Sequence, residues 1–182
     1  MSGRFIACDG ALPAHARIAA DQPDHLGYNP AISGLNLNYN RVHFEWKPAG
    51  QGWQLAMDAR GTRFVPPVVG VKVALAAREA PIFAYEGGDP TERWTVADPA
   101  LREAGSRWLP VRRPTPYVAE VFATLAAAHG LTLPPAEIMA HPPADAVEIV
   151  AHEGEELTAV LAGMLRFSTN LTAEAVGLTA SG

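Results

Sequence analysis

Between Leu35 and Met57 the chain alternates apolar and polar residues in a way that few folds can use. Leu35, Leu37, Tyr39, Val42, Phe44 and Trp46 recur against Asn36, Asn38, His43 and Glu45, with one phase slip near Asn40. Successive side chains of a strand point to opposite faces, so this period of two predicts a long half-buried strand, bent or bulged at the slip. Pro48-Ala49-Gly50-Gln51-Gly52 then supplies turn residues, and Trp53-Gln54-Leu55-Ala56-Met57 returns with the same period. A β-hairpin with one face to bury follows, and the rest of the chain has to supply its cover.

Further short apolar runs lie at Val68 to Leu75, Ile82 to Tyr85, Arg93 to Val96 and Arg107 to Val111, with Gly87-Gly88-Asp89-Pro90 and Asp98-Pro99 as turns between them. Such spacing predicts a small, mainly antiparallel β module. Gly87-Gly88 lacks a following Gly-Lys-Ser/Thr and a helix start, so it reads as a turn and not a phosphate loop. Ahead of the hairpin, Arg4 to Asp9 is a short strand that begins abruptly, and Ala11 to Pro30 is irregular loop rich in Pro, Asp, His and Asn.

Helical periodicity appears only towards the C-terminus. Pro114 opens a helix over Thr115 to His129, with Tyr117, Val118, Val121, Phe122, Leu125 and Ala126 inward and Gly130 as a left-handed stop. Val147 to Val150 reads as a short strand. From Glu155 to Phe167, the residues Leu157, Val160, Leu161, Met164 and Leu165 fall on one helical face, with Glu155 and Glu156 at the start and Arg166 in the last turn. Leu171 to Ala180 is helix-compatible again. Ser168-Thr169-Asn170 therefore sits at a helix-to-helix corner, where short polar side chains can face a shared cleft. On residue type alone, Ser168 ends one helix and Asn170 caps the next.

Composition removes several function classes. The chain has 182 residues and a net charge of −5, with Arg112-Arg113 its one basic pair, so a phosphate-tracking surface for nucleic acid is not expected. Cys8 is the single cysteine, which excludes an internal disulfide and any C-x-x-C site. The N-terminus lacks a signal-peptide core, and no run approaches transmembrane length. His141, Asp145 and His152 fit no metal-ligand spacing, with Pro142-Pro143 between them, so they read as surface residues and no cofactor or metal is called for. Asn170-Leu171-Thr172 is a glycosylation sequon at a helix start and is discounted.

A self-contained serine hydrolase needs a nucleophile elbow, or a Ser with Lys three residues on. Neither occurs, and there is no K-T-G triplet. Yet three stretches resemble one family. Tyr28-Asn29-Pro30-Ala31-Ile32-Ser33-Gly34-Leu35-Asn36-Leu37-Asn38-Tyr39-Asn40-Arg41-Val42 is similar to the start of an inserted β domain in D-alanyl-D-alanine carboxypeptidase/endopeptidases of the penicillin-binding protein 4 type, class C of low molecular mass. Trp108 to Pro114 and on to Gly130 looks like the strand and helix leading back to the peptidase domain. Met164-Leu165-Arg166-Phe167-Ser168-Thr169-Asn170-Leu171-Thr172-Ala173-Glu174 looks like the S-x-N motif, usually written S-D-N-x-x-A-E. Thr169 stands where that motif often has Asp.

The resemblance implies an α+β fold: residues 1–30 as strand and loop, 31–113 as an inserted β-rich domain, and 114–182 as helices of a serine β-lactamase/transpeptidase-like peptidase domain. It implies a middle fragment, beginning after S-x-x-K and stopping before K-T-G, from a periplasmic serine-type carboxypeptidase with possible endopeptidase action. Catalytic roles fall to Ser168, as a proton relay to the leaving D-alanine nitrogen, and to Asn170, as a holder of the peptide backbone and of the active-site Lys. Partners would be the peptidoglycan stem peptide and β-lactams in the complete enzyme; no oligomeric state is implied. The chain alone is expected to be inactive and marginally soluble. The alternative is a non-catalytic β module that binds cell-wall peptide or a partner, with Ser168 and Asn170 serving only as helix caps.

Overall fold

The computed structural model describes residues 3–181, and these form an α+β fold. The hairpin is present as β2 (Arg41–Ala49) and β3 (Gly52–Asp58), paired antiparallel with Gly50-Gln51 at its tip. Its first strand is shorter than the alternation predicts. The phase slip is no bulge: Asn38, Tyr39 and Asn40 all take left-handed φ, between +50° and +56°, and make one tight turn before β2 begins. Asparagine tolerates that region better than most residues, and two of the three positions carry it.

The remaining strands are β1 (Phe5–Cys8), β4 (Val71–Ala76), β5 (Phe83–Gly87), β6 (Glu92–Ala97), β7 (Gly105–Pro110) and β8 (Ala136–Met139). They assemble as one sheet ordered β3-β2-β7, a second ordered β4-β6-β5, and a two-stranded pair β1-β8. Pairing within the first two sheets is antiparallel except for β4 with β6, which runs parallel, as does β1 with β8. Three helices complete the order: α1 (Pro114–Ala128), α2 (Leu157–Phe167) and α3 (Asn170–Ser181).

One core unites the two three-stranded sheets and α1. Val42, Phe44 and Leu109 come from the first sheet, Val71, Phe83, Trp94 and Val96 from the second, and Tyr117 and Val121 from the helix. Phe44 and Phe83 meet edge to face across the sheets, with ring centroids 6.3 Å apart. Each such side chain contributes about 1.5–3 kcal/mol by leaving water, so this cluster dominates stability. Because β2 is the central strand, a residue on its second face has cross-strand neighbours on both sides, and His43 lies between Asp58 of β3 and Trp108 of β7, while Arg41 and Glu45 on the same face stay half-buried. His43, expected on a polar face, is buried and packs its ring 5.2 Å from that of Trp108.

Two carboxylates clamp α1 to the sheets. Glu92, at the start of β6 and only 2% exposed, accepts the backbone N–H groups of Arg112 (2.9 Å) and Arg113 (2.8 Å), just where the chain turns into α1. A negative group at that point also suits the helix dipole. Glu120, two turns into α1, accepts the N–H groups of Val69 and Gly70 ahead of β4.

Three elements differ from the sequence reading. Val147–Val150 is not a strand: Val147, Ile149 and Val150 are each more than four-fifths exposed. β8, preceded by Pro134-Pro135, is a strand that local pattern does not announce, since its partner is β1 at the other end of the chain. Phe122, expected inward on α1, is 55% exposed and stacks on Phe5 of β1 instead of entering the core.

Candidate functional site

The corner between α2 and α3 is made by one residue in an uncommon conformation. α2 ends with Ser168 at φ 51°, ψ 48°, in the left-handed region, and the N–H groups of Ser168 and Thr169 both return to the Met164 carbonyl. This sharp reversal lets α3 start two residues later, at Asn170. A left-handed serine costs roughly 1 kcal/mol against an ordinary helical residue, so the turn is held by its surroundings.

Those surroundings come from the other end of the chain. Nδ2 of Asn170 donates to the carbonyl of Tyr28 (3.1 Å), 142 residues away. Leu171, next in α3, is 5% exposed and is the one buried residue of the two helices. The Tyr28 segment is itself rigidly fixed. Asn29 exchanges two hydrogen bonds with the Ala19 backbone, both 2.9 Å, and its carbonyl receives Nη1 of Arg112 at 2.6 Å. Asn40, fully buried, donates to the Ala31 carbonyl (2.9 Å) and accepts from the Leu37 N–H (3.1 Å). Gly34 lies against the chain at Asp9, where a Cβ would fall 2.2 Å from a backbone oxygen, so only glycine fits there.

Between this wall and the corner is a cleft of about 130 Å³, lined by Tyr28, Tyr39, Arg41, Ser168, Thr169 and Asn170 among others. Ser168 is exposed and Asn170 half-buried, so neither residue of the pair is sealed in a core. With Nδ2 engaged by Tyr28, the Asn170 carbonyl accepts no hydrogen bond among the described residues, and neither does the Ser168 hydroxyl. A larger groove of about 530 Å³ lies on the far side of Tyr39 and Leu171, lined by Leu157, Val160, Ala175 and Val176, and no charged side chain reaches it. Size favours the groove, but chemistry favours the smaller cleft.

No Lys, His, Asp or Glu lines that cleft, and Arg41 is its one charged residue. The arrangement can therefore orient a polar ligand and pass a proton through a hydroxyl. Deprotonating a nucleophile takes in addition a base of matched pKa within hydrogen-bond reach, and among the described residues none lines this cleft. Burial pushes Arg41 below its ordinary value, but a guanidinium stays charged throughout the accessible pH range. Burial likewise pushes up the Tyr117 phenol, whose hydroxyl donates to the Arg41 carbonyl (3.1 Å) and steadies the start of β2.

The sequence reading brought Ser168 and Asn170 together at a corner, and the structure places them in one cleft. Tyr28 and Arg41 complete that cleft through long-range contacts that leave no local periodic signal in the sequence. Among the described residues no group of three or more His, Cys, Asp and Glu is arranged to hold a metal ion, and no helix is long and apolar enough to cross a membrane. The family model described as the D-Ala-D-Ala carboxypeptidase 3 (S13) family matches residues 9–181. No curated protein matches the chain.

Proposed function

Because the chain belongs to the D-Ala-D-Ala carboxypeptidase 3 (S13) family, we propose that its Ser168 and Asn170 are supporting members of a serine-type acyl-transfer centre acting on peptidoglycan stem peptides. The observation that carries this reading is the cleft: a free hydroxyl and a free carboxamide oxygen open to one concavity, in a chain matched to a peptidase family over nearly its whole length. In this scheme Ser168 relays a proton to the leaving D-alanine nitrogen, and the Asn170 carbonyl fixes the ammonium of the base. Asn170 stays anchored to Tyr28 throughout.

The acylating Ser-x-x-Lys and the K-T-G triplet are absent from these 182 residues. The reading therefore assigns them to polypeptide outside the given sequence, with the protein of the penicillin-binding protein 4 type, class C, active in the periplasm, and able to cut D-Ala cross-links as well as terminal D-Ala. Residues 31–113 are then an inserted β-rich domain, and 114–182 return to the peptidase domain.

A labelled β-lactam tests this. The 182-residue chain should take up no covalent label, since it offers no activated nucleophile. A longer reading frame carrying S-x-x-K upstream and K-T-G downstream should be labelled, and Asn170→Ala in that frame should slow acylation roughly 100-fold or more, the scale of losing a positioned polar group in an active site. Covalent labelling of the 182-residue chain, or a longer frame indifferent to Asn170→Ala, would overturn the assignment.

A second reading, a non-catalytic module that binds cell-wall peptide, is favoured by the missing nucleophile. It predicts peptide binding with no labelling in any longer frame.

A further inference from the structure

Seven of the twelve arginines, Arg41 and half-buried Arg107 among them, have no carboxylate within 4 Å among the described residues, and Arg41 is the one of these that lines the Ser168–Asn170 cleft. Arg4, Arg17, Arg60, Arg112 and Arg113 each have a carboxylate within 4 Å, whereas Arg41 has none among the described residues. Its side chain nonetheless has packing partners. The guanidinium carbon lies 5.2 Å from the Tyr39 ring centroid and 5.4 Å from that of Trp108, so two aromatic rings flank the cation. Nε makes one long bond to the Asn38 carbonyl (3.5 Å), and the two Nη groups donate to nothing among the described residues. They are not buried orphans, and Arg41 lines the same cleft as Ser168 and Asn170.

A half-buried guanidinium with its terminal fork free, flanked by two aromatic rings and lining a cleft without any acidic residue, suits a planar anion that arrives from outside. A carboxylate matches that fork with two parallel N–H···O bonds. Placing such a cation there costs desolvation that the rings and one long hydrogen bond offset only in part, and binding a carboxylate would recover more of it.

We propose that Arg41 is a specificity-determining residue which binds a carboxylate of the substrate peptide and so sets the register of that peptide against Ser168 and Asn170. The inference rests on the acyl-transfer reading of the cleft. The carboxylate has two possible sources in a stem peptide: the C-terminal D-Ala carboxylate, or an acidic side chain earlier in the peptide. Arg41 acts by positioning, and takes no part in bond making.

The test is equilibrium binding to the 182-residue chain of three probes: Nα-acetyl-Glu-D-Ala-D-Ala, its C-terminal carboxamide, and the peptide with Gln in place of Glu. In wild type, removing the engaged carboxylate should weaken binding roughly tenfold or more, the scale of a charge-assisted bidentate contact. Whichever probe shows that loss identifies the source. In Arg41→Gln all three probes should bind alike, and Arg41→Lys, which keeps charge but not the fork, should retain only part of the discrimination. Equal binding of all three to wild type overturns the proposal, as does undiminished discrimination in a folded Arg41→Gln. Asn170→Ala separates the two claims: it should weaken every probe equally. If it changes none while Arg41→Gln still removes the discrimination, the carboxylate anchor stands and the acyl-transfer reading of Asn170 fails.

Discussion

The two regions with the clearest hydrophobic periodicity in this chain, the β2–β3 hairpin and α2, end in different circumstances. The hairpin's inward residues Val42 and Phe44 are fully buried between two sheets and α1. α2 has as clear an apolar face, yet among the described residues that face is only half covered: Val160, Leu161 and Met164 are half-buried, Leu157 and Leu165 are 60% and 77% exposed, and α2 holds no buried residue. A period in sequence specifies a face and says nothing of what meets it. The β body is held by a core and by carboxylate clamps from Glu92 and Glu120, while the α2–α3 pair is held by Leu171 and by one side-chain hydrogen bond from Asn170. The residues with candidate chemistry belong to the loosely held part.

That contrast breaks first at Glu92. Replacing it with Ala leaves the buried N–H groups of Arg112 and Arg113 without acceptors, and denaturant unfolding should show a loss of about 3 kcal/mol. The pH dependence sharpens the point. Burial is the largest influence on Glu92 and raises its pKa, with the two backbone hydrogen bonds and the neighbouring arginines opposing. A raised folded-state pKa means the folded form binds the proton more tightly than the unfolded chain. Its stabilising share is then complete below the unfolded value and lost as pH rises through the folded one. The stability advantage of wild type over Glu92→Gln should accordingly be larger at pH 4 than at pH 7. An advantage that grows with pH would show that the ionised carboxylate is the better-accommodated form.

A smaller effect, confined to the other region, is expected at Leu171. Leu171→Ala removes the only buried apolar anchor of α2 and α3, worth about 2 kcal/mol by the usual scale of core truncation. Amide exchange should accelerate in α3 and leave β2, β6 and β7 unchanged, because the pair opens locally. Equal acceleration in both regions would mean that the helices are part of the main cooperative unit after all. The smallest effect belongs to Ser168→Gly. Relief of left-handed strain and the greater freedom of an unfolded glycine nearly offset each other, so the melting free energy should change by less than about 1 kcal/mol. A larger loss would mean that the hydroxyl itself supports the corner.

Periodic and turn signals carried much of this fold. The hairpin, α1 with Gly130 in left-handed φ behind it, and the break between α2 and α3 are all readable from the residues present there. What sequence could not supply was pairing. Val147 to Val150 has strand composition but no partner strand among the described residues, whereas Ala136–Met139 has a weaker signal and pairs with Phe5–Cys8. His43 looked polar-faced because alternation cannot tell a central strand from an edge. At the site, Ser168 and Asn170 were visible as a motif, since they lie two positions apart. Tyr28 and Arg41 complete their cleft from the far side of the chain, through contacts that depend on the whole fold.

The claim on which the functional account depends is that peptide meets the Ser168–Asn170 cleft and not the larger apolar groove beyond Tyr39. A nuclear magnetic resonance titration of the 182-residue chain with a neutral Nα-acyl-D-Ala-D-Ala carboxamide tests it most directly. The account predicts shifts concentrated at Tyr28, Ser168, Thr169 and the Asn170 side-chain amide, with Val160, Ala175 and Val176 unmoved. Shifts confined to the groove residues, with the corner silent, would contradict it.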